Sequence, residues 1–182
     1  MKKLYTLLLL IFVIIAAITE QGCNILSNLF LNLPIKQTIA TSGSDNVIFE
    51  TESFCLSDYE AYNDNVDEVQ SIKYVAAAYF TESYSPSDLN ASNIVATLYA
   101  SDGFTVIFQV FIPYAEPDDY VNNPYEIELT PEQIALFNQL LADYENNDCY
   151  TAELRVQDVS GSSTPYQLTG RIEIVVELEI KP

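Results

Sequence analysis

Carboxylates and thiols carry nearly all the reactive chemistry open to this chain, because its 182 residues include no histidine. Without imidazole there is no Ser-His-Asp or Cys-His relay, no imidazole metal ligand and no ordinary general base near neutral pH. Hydrolysis by paired carboxylates stays formally open, but no pair stands out among 26 acidic residues. Acidic side chains crowd two loops: Asp58, Glu60, Asp64, Asp67 and Glu68 in one, Glu116, Asp118 and Asp119 in the other. Hard oxygens in such numbers suit calcium. Neither loop has EF-hand spacing or that loop's central glycine, so both read as solvated acidic surface and no metal or cofactor is implied. Gly-x-Gly-x-x-Gly, Walker and Gly-x-Ser-x-Gly patterns are also absent. The expectation is a protein that is not an enzyme.

The N-terminus carries a different chemistry. Lys2 and Lys3 precede an apolar run from Leu4 to Ile18, followed by Glu20, Gln21, Gly22 and Cys23. A positive end, a short apolar stretch and a small residue before a cut have the layout of a secretory signal peptide. Gly22-Cys23 resembles the lipobox of bacterial lipoproteins, although Glu20 and Gln21 stand where that family usually has leucine and a small residue. The resemblance covers Met1 to Cys23 alone. It implies cleavage after Gly22, lipidation of Cys23, and a cell-envelope protein held at a membrane by its N-terminus. Cleavage after Ala16, Ala17 or Gly22 with release is a second reading. An uncleaved anchor is a third, since the apolar run falls just short of the roughly 20 residues that span a bilayer.

With Cys23 lipidated, Cys55 and Cys149 remain, an even number in an oxidising compartment. A bridge between them would close a loop of about 95 residues, worth roughly 4 to 5 kcal/mol by chain entropy. Two buried free thiols are the alternative. No Cys-x-x-Cys spacing suggests a redox or zinc site.

Charge limits the partners. Seven basic against 26 acidic residues give a net charge of −19. Such a field repels nucleic-acid phosphates, so no nucleic-acid partner is expected. Tyrosine is abundant, with 13 copies and no tryptophan. Tyr114, Tyr120 and Tyr125 flank the second acidic loop, which Pro113, Pro117 and Pro124 stiffen. A restricted, aromatic, acidic loop is a candidate surface for a protein or glycan ligand.

The elements that would position these groups are mostly strands. Leu31, Leu33, Ile35 and Ile39 recur at a period of two, with Pro34 marking an edge strand. Val47 to Phe54 and Ser71 to Phe80 follow. Asn93 to Ala100 and Phe104 to Ile112 form a hairpin across Asp102-Gly103. Because Ile107 and Phe111 oppose Phe104, Val106, Phe108, Val110 and Ile112, the second strand of that hairpin reads as central and covered on both faces. Thr130-Pro131-Glu132-Gln133 starts the one confident helix with a capping box, and Ile134, Phe137, Leu141 and Tyr144 form its apolar stripe. Tyr150 to Val159 and Gln167 to Ile180 complete the set, the last alternating cleanly. These elements predict a mainly β domain over residues 31–182, an antiparallel sandwich of about seven strands with one amphipathic helix. The segments before it are a signal peptide (1–22) and a membrane-proximal stretch (23–30). A helix packed on a single antiparallel sheet, an α+β domain, is the alternative.

Overall fold

A computed structural model describes residues 28–113 and 116–181. Cys23 and Tyr114 therefore lie outside the described residues, as does the signal-like segment. No described helix is long and apolar enough to cross a membrane.

Eight strands form two four-stranded antiparallel sheets. The first joins β1 (Leu29–Gly43), β8 (Tyr166–Ile180), β3 (Val69–Ser85) and β6 (Tyr125–Glu126), in that order. The second joins β2 (Val47–Cys55), β7 (Cys149–Gln157), β4 (Asn93–Tyr99) and β5 (Val106–Pro113). Pairing is nested: β1 with β8, β2 with β7, β3 with β6, β4 with β5. A long antiparallel ribbon rolled on itself in this way is the jelly-roll form of a β-sandwich. The two-sheet architecture sets aside the single-sheet alternative.

Period-two patterning explains the layers. Ile172, Ile174, Val176, Leu178 and Ile180 of β8 are buried, while Arg171, Glu173, Glu177 and Glu179 between them are half-exposed. They face Ile94, Ala96 and Leu98 of β4 and Ala152, Leu154 and Val156 of β7, all buried. Gly170 sits tight against side chains of both sheets: a Cβ there would lie 2.6 Å from both Leu154 Cδ2 and Tyr79 Cε2. β1 is an edge strand, as Pro34 predicts. It begins at Leu29, so Leu29 and Phe30, assigned by sequence to the membrane-proximal stretch, pair with Ile180 and Glu179.

One strand departs from expectation. β5 is an edge strand, not a central one, and its outer side is left partly open to solvent. A bulge between Leu98 and Tyr99 pairs Tyr99 with Val106 and Leu98 with Phe108, leaving Ile107 as the extra residue. The extra residue shifts the alternation by one. Ile107, Phe108 and Ile112 are buried, whereas Val106 and Phe111 are exposed.

Between β2 and β3 the chain makes short helical turns, including α1 (Glu60–Asn63). The main helix, α2 (Pro131–Ala142), begins as its sequence directs: Thr130 Oγ1 accepts from Gln133 N, and Gln133 Oε1 accepts from Thr130 N. Phe137 and Leu141 are buried, and the Phe137 ring meets Tyr74 and Tyr150. The helix lies along the part of β3 that the two-residue β6 leaves open. Tyr74 N donates to Asn138 Oδ1 at 2.8 Å. Just beyond the helix, the Tyr144 hydroxyl donates to Val69 O at 3.2 Å. Side chains thus complete a strand edge that would otherwise offer unpaired backbone groups.

Candidate functional site

Cys55 and Cys149 are direct partners in the β2–β7 register and are joined by a disulfide, S–S 2.01 Å. Beside it, Cys55 N donates to Asp58 Oδ2 at 2.7 Å. Cys55, Asp148 and Cys149 form the one cluster of three metal-ligand side chains among the described residues, and both sulfurs are spent on each other. The crowded acids between Asp58 and Glu68 do not converge in that sense.

The Tyr-Pro-acidic loop is folded back on the body. Pro117 is buried, and Asp118 accepts from the Tyr84 hydroxyl at 3.1 Å. The Tyr120 ring stacks edge-on against Tyr125 at 5.8 Å and against the buried Tyr79 at 6.0 Å. Two of the three sequence-predicted ligand-binding tyrosines are therefore packed against each other, and Tyr120 also against the core.

A groove of about 680 Å³ lies instead on the outer face of the first sheet. Its floor is Ala76, Ala78 and Val175 on the paired strands β3 and β8, and Val75, Phe80, Pro124 and Ile134 also line it. The floor follows from local sequence. Three consecutive alanines, Ala76–Ala78, put small side chains on β3 where neighbouring strands carry large ones. A bulge between Tyr74 and Ala76 turns Val75 outward, where it is 50% exposed. Bulges re-aim side chains in this way.

Carboxylates rim the groove: Glu126, Glu128 and Glu173. Glu173 is already paired, with Lys36 at 3.9 Å and with Arg171. Arg171 also binds Glu82 at 2.8 Å and lies over the Phe80 ring at 4.0 Å, so its charge is committed. Glu126 and Glu128 are different. Both are exposed, on alternate positions after Tyr125, and neither is in any salt bridge among the described residues. The intervening Ile127 is buried and its amide donates to Ala77 O at 2.9 Å, which fixes the rim to the floor. An apolar cleft with a few convergent polar groups is the usual form of a binding site. Sequence reading passed over these residues. The signals were the alanine run and the acidic-apolar alternation Glu126-Ile127-Glu128-Leu129.

No protein-family model and no curated protein matches the chain. Among solved structures it is similar to a chain of infectious bursal disease virus, Gx strain, with 14% identity and a TM-score of 0.35 over 85% of this chain and 33% of that one. It is also similar to tobacco necrosis virus, at 15% identity and TM-score 0.36 over 84% and 97% of the two chains. Desmodium yellow mottle tymovirus gives 9%, 0.35, 84% and 88%. The chain spans about a third of the first of these proteins. At such scores the likenesses are distant, and no function is drawn from them.

Proposed function

We propose that this chain is a non-enzymatic protein of the cell envelope, exported by its N-terminal signal, held at a membrane through lipidated Cys23, and serving a structural or binding role. The Cys55–Cys149 disulfide carries the reading. Such bonds persist in oxidising compartments and are rare in reducing ones. The positive end, apolar run and Gly22-Cys23 of the leader point the same way. The lack of histidine supports a role without catalysis. For the binding role, the groove is a better candidate than the loop at Pro113 to Tyr125, since the loop's Tyr120 and Tyr125 rings are engaged internally.

The test is mass spectrometry of the mature chain from its native cells, with alkylation before and after reduction. The expected result is an N-terminal, diacylglycerol-bearing Cys23 with Cys55 and Cys149 protected until reduction. A full-length, unlipidated chain with both thiols free in a soluble fraction would overturn it.

A further inference from the structure

We infer that the groove on the first sheet binds an extended segment of a partner polypeptide in which Lys or Arg side chains alternate with apolar ones; the inference rests on the binding role proposed above. Two features select this occupant. Ala76, Ala78 and Val175 make the floor largely apolar, with Glu173 opposite Ala78, and Val75, Phe80 and Ile134 add apolar lining. Above it stand Glu126 and Glu128, two exposed carboxylates with no cation among the described residues. The third rim carboxylate, Glu173, is neutralised by Arg171 and Lys36. The groove therefore offers apolar contact below and two unmatched negative charges above.

Charge selects against the other occupants. A second copy of this chain would bring a net charge of −19 towards one of the same sign, and an anionic lipid surface or a nucleic acid would be repelled equally. The rim is also stiff. Glu126 belongs to β6, paired with Ala78 of the floor, and Glu128 follows Ile127, whose amide is tied to Ala77 O, two residues before the N-cap Thr130. Because Glu126 sits in a strand and Glu128 in a short connection pinned by the Ile127 amide and the Thr130 cap, an incoming cation meets them with little further ordering.

The probe is a fluorescein-labelled peptide, Leu-Lys-Leu-Lys-Leu, titrated by anisotropy against the intact chain. Controls are Ser-Lys-Ser-Lys-Ser and Leu-Glu-Leu-Glu-Leu. Saturable binding of the first peptide, weakened about tenfold in the Glu126→Gln, Glu128→Gln double variant, is expected. Ala76→Phe, which fills an exposed floor position, should weaken it comparably. Glu50→Gln with Glu52→Gln removes the same charge from β2 on the other sheet and should leave it unchanged. Equal binding of Ser-Lys-Ser-Lys-Ser, equal losses from the β2 variant, no effect of Ala76→Phe, or no saturable binding would each overturn the inference. None of these outcomes bears on export, which the thiol and N-terminal chemistry decides.

Discussion

The backbone amide of Tyr74 donates to the side-chain oxygen of Asn138 at 2.8 Å, so that one residue of α2 takes the place of a strand beside β3. Asn138→Ala should leave that half-buried amide unpaired and cost about 1 to 2 kcal/mol. Asn138→Asp keeps an acceptor and should recover most of the loss. Urea titration would measure both, and hydrogen exchange at Tyr74 should accelerate in the alanine variant alone.

Two core tyrosines ought to respond oppositely to loss of the hydroxyl. Tyr79 shares a hydrogen bond with the buried Thr81 at 3.1 Å. The hydroxyl of Tyr150 is buried and has no partner among the described residues. Tyr79→Phe strands Thr81 and should destabilise by about 1 kcal/mol, whereas Tyr150→Phe removes an unsatisfied group and should stabilise by a similar amount. Thermal melts of the two variants beside the parent chain would decide this.

Reduction of Cys55–Cys149 should be costly, because the bridge spans a separation of 94 residues. Chain entropy puts the loss at roughly 4 to 5 kcal/mol. The double serine variant should show a much lower urea midpoint with little change in native circular dichroism. A midpoint unaltered by reduction would mean that the sheets alone hold β2 to β7.

Stability should fall on both sides of neutrality, for different reasons. Ser162 donates to Asp88 from its backbone and side chain, and Thr105 donates to Asp102, assisted by the Phe104 amide; both carboxyls are held below their ordinary values. Ser71 and Asn28 do the same for Glu179. A depressed native value gives stability that is present above the unfolded carboxylate value of about 4 and is lost as pH drops through the native one. Burial raises the phenols of Tyr79 and Tyr150. Their contribution is intact below the unfolded value of about 10 and is lost as pH climbs towards the native one. Melting temperature against pH should trace a dome, with the acid limb flattened by Asp102→Asn and the alkaline limb by Tyr79→Phe.

What could be read in advance was local. The helix start at Thr130, the Asp102-Gly103 turn and the alternation of Ile172 to Ile180 each depend on neighbours within a few residues, and each is where its pattern puts it. β5 was misread because one bulge residue, Ile107, reverses the parity of a strand, and no spacing rule announces it. β6 was missed because two residues, Tyr125 and Glu126, have no period. The groove was illegible for a related reason. It needs Ala76–Ala78, Glu126 and Val175 side by side, and only the pairing of β3 with both β6 and β8 brings them together. Nor can sequence tell an aromatic ring turned to solvent from one laid on Tyr79, as the Tyr120 ring is.

The long register between β1 and β8 also has a mechanical meaning. Leu29 stands opposite Ile180, and pairing runs without interruption to Gly43 opposite Tyr166. A pull applied at Leu29 and resisted at the opposite end of the sheet, near Ser85 of β3, passes along the strands and shears the whole row of backbone bonds at once. The same pull applied between Leu29 and Ile180 would open that row one bond at a time, like a zipper. Force entering at the beginning of β1 therefore runs along the strong axis of the sandwich when its load is carried at the far end of the first sheet.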